Sequence, residues 1–443
     1  MILDTEAVAR WLEPLLQAPE DLADVFVEER RDTVLEWRDG EVTGVCVVSD
    51  AGLSARWRRA GAERLVFSAG ADDAAAREAV RALREVAGSE PLPIRPTRVE
   101  EAAEAEDGAL TGVPRGRRRL AALLARHMPR HRLRWTLRET ARQIVPARGE
   151  AVVSLSRLLS IEGGFTAASR RGDEARIFAF HAPEAEAAGD TLREALETAA
   201  APREKAMPCP DGETDAVLAG GCAAMFFHEV LSHPGEAGVE SPLSALFDAR
   251  IATPDLDVRD EPGRLDLFGG YEADDEGTRP RAVKLLDSGR LAGRLTDRAH
   301  RGRPQPSTGH GRRGGPSDAP LPRGSNLVVS PGHATDEEMA RRLGSGLWIE
   351  ELAGGSVELS SGLFRLAFPR ARRVRRGRLA DEIGPGVLSG EILAALKGVE
   401  SGLGRDVSPY RQLGWCARRG QVVPVGGAAP TVLVRRLAVR ANA

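Results

Sequence analysis

The stretch Phe226-Phe227-His228-Glu229-Val230-Leu231-Ser232-His233 sets two imidazoles around a carboxylate within an otherwise apolar run. Neutral imidazole is a good ligand for Zn²⁺, and hydrolysis at a bound metal needs a nearby base. The spacing is one residue longer than the H-E-x-x-H of common zinc sites. That residue matters, because helix positions four apart differ by about 40° around the axis and positions five apart by about 140°. His228 and His233 can share a metal only if a bulge absorbs one residue or the helix ends between them. Pro234-Gly235 makes a helix end just after His233 plausible. The bland alternative is an amphipathic helix with histidines on two faces, so a third ligand is needed to choose.

Working outward, residues 215–232 read as one Ala/Gly-rich, largely apolar helix. A helix of that kind is buried on most sides, where His and Glu are costly unless partnered. The fold class expected is α+β. Residues 1–205 read as an N-terminal domain of helices and antiparallel hairpins, and 206–443 as a β-rich C-terminal domain with a buried metal-binding helix. In the N-terminal part, 5–19 have helical spacing. Strand-like segments follow at 25–29, 33–37, 42–48 and 61–68, with Asp39-Gly40 as a hairpin turn. Asp72 or Asp73 caps an alanine-rich helix to Ala87. Residues 88–112 are linker-like, 115–127 read as a basic helix, hairpins resume at 132–180, and 184–200 is helical. Residues 302–324 are so rich in Gly, Pro, Arg and Ser that a mobile loop is expected.

The whole chain narrows the function class. A net charge of −3 over 443 residues gives no footprint for nucleic acid or an anionic membrane. Aromatics at 4% are too sparse for a base-stacking surface. The beginning of the chain is acidic where a leader would be basic, and no stretch has the roughly 18 apolar residues of a membrane span. Cys46, Cys209, Cys222 and Cys416 lack C-x-x-C spacing, which reads as reduced thiols in a cytoplasmic protein.

Cys416 sits in Leu413-Gly414-Trp415-Cys416-Ala417-Arg418-Arg419-Gly420-Gln421, a Gly-flanked turn before a final strand pair. A lone thiol is usually core. Taken with the His-Glu motif, however, this G-x-C-x-x-x-G-Q-x-V-P-V-G setting resembles the TldD/PmbA family of peptidases, also called modulators of DNA gyrase. Further segments share the resemblance: Asp274-Asp275-Glu276-Gly277-Thr278, Gly309-His310-Gly311-Arg312-Arg313, Pro320 to Asn326 with Arg323, and Gly354-Gly355-Ser356-Val357 to Gly362. The N-terminal hairpin Leu35 to Val42 also fits, so the likeness runs over nearly the full chain and is strongest from about 215 to 430. The chain departs from the family pattern at Ser232, at Ala417 and at Pro234.

The resemblance implies the TldD-like catalytic type, a zinc-dependent peptidase acting on unfolded or small peptides. Zn²⁺ would be held by His228, His233 and Cys416 with a fourth position open, and Glu229 would be the general base. Glu236 matches an acidic position near the motif and is either a carboxylate orienting an imidazole or a surface group. His310 would polarise a carbonyl or be merely solvated. Gly354 and Gly355 would let a substrate backbone come close. The remaining histidines, including His181, stand outside any motif. The family also implies a dimer, either with itself or with a PmbA-like paralogue. The alternative is a metal-binding but inactive assembly or regulatory subunit of such a complex. No direct contact with nucleic acid or membrane is expected.

Overall fold

The computed structural model describes residues 3–39, 41–87, 102–104, 131–169, 172–187, 190–201, 206–301 and 305–441. The reading of 115–127 as a basic helix, and nearly all of the linker-like 88–112, lie outside the described residues. The fold is mixed, with several sheets and short helices, in line with an α+β class.

A large antiparallel sheet comes first. Its strands are β1 (Leu22–Arg38), β2 (Glu41–Arg59), β3 (Ala62–Ser68), β4 (Ala102–Glu104), β5 (His131–Pro146), β6 (Val152–Ser169) and β7 (Gly172–Pro183). Their order is β3-β2-β1-β5-β6-β7, with β4 paired to β2. Two separate segments were expected at 25–29 and 33–37, yet the chain runs through them as the single strand β1. The charged stretch from Glu28 to Asp32 stays in the ladder because cross-strand guanidinium groups match it. Arg142 reaches Glu28 at 2.7 Å, Arg138 reaches Asp32 at 2.7 Å, and Arg30 reaches Asp50 at 3.2 Å.

Helices cover part of the sheet. α1 (Thr5–Leu12), capped by Asp4, and α2 (Asp73–Val86), capped by Asp72, bury Val8, Leu12, Val80 and Leu83 against Val25, Leu53 and Trp57. Residues 190–200 are helical and pack Leu192 and Leu196 on Trp37, Trp135, Ile161 and Phe180. The alternation of β6 and β7 leaves Ser160, Glu162 and His181 on the opposite, polar side.

The C-terminal residues form an eight-stranded sheet and a six-stranded one. The eight-stranded sheet runs, edge to edge, through 354–358, 363–368, 386–391, 432–441, 212–218, 346–349, 371–375 and 378–383. The six-stranded sheet centres on Val258–Asp260, Asn326–Val329 and Gly426–Ala429. The short apolar helix Ala223–Phe227 touches Asn326–Val329, Gly426–Ala429 and the edge strand Gly354–Glu358, all within one continuous core.

Two expectations fail here for identifiable reasons. Residues 215–232 are not one helix: Gly212–Leu218 is a strand between 346–349 and 432–441, and the helix starts only at Ala223. A short buried apolar strand and a buried helix look alike in sequence. The break falls at Gly220-Gly221, both at positive φ, where a Cβ on Gly221 would lie 2.5 Å from the Ser408 carbonyl oxygen. The expected mobile loop is overturned for the described residues 305–324. Gly311–Arg312 pairs with Leu321–Pro322, and Thr308, His310, Arg312, Arg313 and Arg323 are buried.

Carboxylates explain that burial. The Arg313 backbone N–H donates to Asp275 at 2.8 Å, and its guanidinium lies over Phe26, 4.1 Å from the ring centre. Arg56 of β2 is the tie between the sheets. Its Nε donates to Asp24 at 3.0 Å and its Nη1 to Glu276 at 2.7 Å, all fully buried. Burial costs these charges their hydration, and only mutual pairing offsets that. Arg56→Ala leaves two buried carboxylates unmatched, so denaturant unfolding should show a loss of about 3–5 kcal/mol. An unchanged midpoint would mean that Asp24 and Glu276 find another cation.

Candidate metal centre

The motif is built on a local defect in the helix. After Ala223–Phe227 the backbone widens into a π turn over His228–Ser232, then closes with a single turn at His233–Gly235. The His233 N–H donates to the His228 carbonyl, the i→i+5 bond of a π bulge. One extra residue is thereby absorbed, and the two rings meet edge to face with their centres 4.7 Å apart.

Cys416 arrives from Trp415–Arg418, a strand paired with Gln421–Pro424. Its Sγ lies 3.3 Å from Nε2 of His228 and 3.3 Å from Nε2 of His233. Ligand distances of about 2.0–2.3 Å at a tetrahedral Zn²⁺ put N and S roughly 3.6 Å apart. The three donors are buried and converge within 4.8 Å. Two imidazoles and a thiol so placed fit zinc in both chemistry and spacing.

Electrostatics favour the ligand form of the sulfur. Burial by itself would raise the Cys416 thiol, but His228 and His233 outweigh it and hold it well below the ordinary range. Burial likewise opposes charge on His233, yet the facing sulfur and Glu236 hold that imidazole above its usual value.

A ring of charge surrounds the ligands. Glu236, an uncertain position in the sequence, is buried with Oε1 3.7 Å from His233 Nδ1. Burial would raise its carboxyl, but His233, Arg418 and Arg323 hold it below the usual carboxylate range. Arg323 was legible only as part of a shared run. It donates to the Cys416 carbonyl at 2.9 Å and to the Cys416 sulfur at 3.2 Å, and lies 3.6 Å from Glu236. Arg418 pairs with the other Glu236 oxygen. The signal for both arginines was available: a buried acid beside a thiolate ligand requires cations.

His310 corrects an expectation, being neither solvated nor among the residues lining the cavity. It is fully buried, with Nε2 3.1 Å from Asp260 and Nδ1 2.9 Å from the Thr308 hydroxyl. Asp260 also accepts from the Ser325 N–H at 3.0 Å, and the next N–H back, Gly324, donates to Glu236 at 3.2 Å. His310 thus braces the segment that carries Arg323. The Ser232 hydroxyl fills space beside Gly324, where a Cβ would approach it to 2.4 Å.

Glu229 points the other way. It lines a cavity of about 870 Å³ together with His228, His233 and Cys416. A Cβ on Gly355 would lie 2.7 Å from Glu229 Oε1, so glycine is the residue that leaves room for the carboxylate. Gly354 faces open space. Burial pushes the Glu229 carboxyl up and the two imidazoles pull it part of the way back, which leaves a more basic carboxylate.

The far wall comes from the N-terminal sheet: Glu162, Gly163, Gly164 and His181. No role was foreseen for His181. Its N–H donates to the Arg411 carbonyl at 2.7 Å, and its ring occupies the space beside Gly414, where a Cβ would meet it at 2.4 Å. The loop bearing Cys416 is therefore seated on β7. Purified protein should hold about one Zn²⁺ per chain. Cys416→Ala should lose most of it, while alanine at Cys46, Cys209 or Cys222 should not. Equal zinc in all four variants would remove Cys416 from the ligand set.

The region that holds this cluster is similar to known proteins. Residues 211–441 match the family model of the PmbA/TldA metallopeptidase C-terminal domain. A metalloprotease of Methanothermobacter thermautotrophicus is 31% identical over 240 residues, 53% of this chain and 52% of that protein. A zinc metalloprotease TldD homolog of Saccharolobus solfataricus is 29% identical over 234 residues, 52% of each. The chain thus spans about half the length of the curated relatives it matches. Two crystal structures share the fold over nearly their whole length. A candidate modulator of a DNA gyrase from Thermotoga maritima has a TM-score of 0.73 at 16% identity, covering 98% of this chain and 100% of that one. TldE from Thermococcus kodakarensis has a TM-score of 0.72 at 14% identity, covering 99% of each chain. With more than half its residues matched by the family model and the His/His/Cys cluster inside the matched region, the chain belongs to the TldD/PmbA family of metallopeptidases.

Proposed function

We propose that this protein is a zinc-dependent peptidase of the TldD-like type that hydrolyses small or unfolded peptides. The observation that carries the reading is Glu229: a buried carboxylate made basic by its surroundings, accommodated by Gly355, in one cavity with His228, His233 and Cys416. A structural zinc site would be closed by four ligands, whereas three converging donors beside a cavity follow the catalytic pattern. Residues 206–443 would carry the site, and residues 1–205 would supply its far wall.

His228, His233 and Cys416 would hold Zn²⁺, which when bound would supply Lewis acidity toward a carbonyl and a water molecule. The chain's own groups do the rest. Glu229 takes a proton from the attacking water and returns it to the leaving amine nitrogen. Arg323 donates to the Cys416 sulfur and so moderates the charge it presents. Glu236 orients the His233 ring, and Arg323 and Arg418 fix Glu236.

The edge strand Gly354–Glu358 offers unpaired backbone beside the cavity, and Gly354 carries no side chain to obstruct it. An extended peptide can add to such an edge through main-chain hydrogen bonds. No helix among the described residues is long and apolar enough to cross a membrane. A cytoplasmic location is proposed from the scattered cysteines, which read as reduced thiols, and a dimer, with itself or with a PmbA-like paralogue, from the family resemblance.

Glu229→Gln keeps the size and removes the proton acceptor. Zinc should stay bound while peptide turnover falls by about 10²–10⁴-fold. Substantial activity with full zinc would move the base elsewhere, with Glu236 next in line. Substrate form gives a separate test. A folded domain must open locally before it can lie along an edge strand, at a cost up to its global stability. One sequence should be cut readily as a flexible peptide and hardly at all inside a stable host. Equal rates would refute capture of an extended peptide along the edge strand. Failure to cut either, even with a PmbA-like partner present, would favour an inactive assembly subunit.

A further inference from the structure

The cavity contains a second carboxylate that the proposed hydrolysis does not use. Glu162 projects from the polar side of β6 into the space shared with His228, Glu229 and Cys416. Buried His181 on the same side contacts it, and buried Ser160 in turn fixes His181. His181 Nε2 lies 3.4 Å from Glu162 Oε1, and His181 Nδ1 lies 3.0 Å from the Ser160 hydroxyl. Burial pushes the His181 imidazole down to about 4, so it is neutral near pH 7 and brings no charge to cancel that of Glu162.

The backbone next to Glu162 is glycine because it packs tightly on β5. Gly163 has φ +149, and a Cβ there would lie 2.2 Å from the Arg132 carbonyl oxygen. Gly163 and Gly164 both line the cavity, so the carboxylate stands beside bare main chain. Of the nearby cations, Arg418 is paired with Glu236. Arg134, directly across from Glu162 in the β5–β6 ladder, is shared between Glu162 and Glu36, the latter at 3.6 Å, and burial outweighs its pull and leaves the Glu162 carboxyl above its usual value. A bound zinc dication would be matched in charge by the Cys416 thiolate and the Glu229 carboxylate, while Arg323 and Arg418 exceed Glu236 by one positive charge beside them. Glu162 takes no part in that network and stands on the opposite wall, facing whatever enters the cavity.

We propose that Glu162, held by His181, is a cation subsite that selects peptides presenting a primary ammonium group to the cavity. The inference rests on the peptidase reading and specifies its substrate class. The ammonium has two possible sources, a free α-amino terminus and a lysine side chain. Gly163-Gly164 beside the carboxylate suits either, since a chain end or an extended side chain needs the same uncrowded approach.

The experiment uses the full chain and four peptides of one sequence: free amino terminus, acetylated, acetylated with an added lysine, and acetylated with norleucine in its place. Binding is read by fluorescence anisotropy on the zinc-loaded Glu229→Gln protein, and kcat/KM on the wild type. An ammonium-bearing peptide should bind roughly tenfold tighter than its neutral counterpart, the scale of one partly exposed charge-assisted hydrogen bond. The preference should shrink as salt is raised. Glu162→Gln should bring the ratio close to one with zinc content unchanged, whereas Glu78→Gln on the solvent side of α2 should leave the ratio alone. The free-terminus and lysine peptides tell the two ammonium sources apart. Equal binding of all four peptides, or a preference that survives Glu162→Gln, would overturn the subsite while leaving the peptidase standing. If no peptide is bound or cut, the peptidase reading fails first and the subsite with it.

Discussion

A five-residue step between two histidines governs this site. On a regular α-helix that step sends the side chains to different faces, about 140° apart. The π turn at His228–Ser232 cancels the mismatch by letting the His233 N–H reach the His228 carbonyl. Such a turn has looser packing and poorer hydrogen bonds than an α-helix, so it must be held by its surroundings. Here it is enclosed by Phe226, Phe227, Val230 and Leu231 within the largest core of the protein, and Pro234-Gly235 ends the helix at once. The widened backbone also turns Glu229 toward the cavity while its neighbour His228 faces the sulfur.

Charge, not apolar packing alone, connects that helix to the rest of the molecule. Glu236 meets His233, Arg323 and Arg418; Arg323 meets Cys416; Asp260 meets His310 and Ser325. Further out, Arg56 and Arg313 join the Asp274 to Glu276 segment to β1 and β2. Removing one member of such a network strands a buried partner, a much larger penalty than the net worth of any single pair. The arrangement therefore acts as a specification of geometry more than as a source of stability.

The motif residues were legible because metal ligands and a base require particular side chains at particular spacings. His228, His233 and Cys416 lie together with Glu229 lining the same cavity, and the bulge was one of two geometric solutions that the spacing allowed. Local propensity misled where tertiary context decided. Ala216, Val217 and Leu218 read as helix but serve as a central strand, and the Gly/Arg-rich run after residue 304 reads as a loop but is immobilised by carboxylates distant in sequence. His181 and Glu162 could not be found by pattern at all. Their place in the cavity depends on how β6 and β7 meet the Cys416 loop, and no short-range signal encodes that contact.

Several glycines of this site share one physical origin. At Gly355 the space a Cβ would take is filled by the Glu229 carboxylate, at Gly414 by the His181 ring, and at Gly324 by the Ser232 hydroxyl. In each case φ lies outside the left-handed region, so the constraint is proximity and not backbone conformation. A polar group pressed against bare main chain loses water and keeps one orientation, as a base or a positioning group requires. The shared G-G-x-V and G-x-C patterns thus carry information about the side chains opposite them. Read in that way, the glycines outline the cavity from its walls, and the carboxylates of Glu229 and Glu162 are what remains to face a substrate.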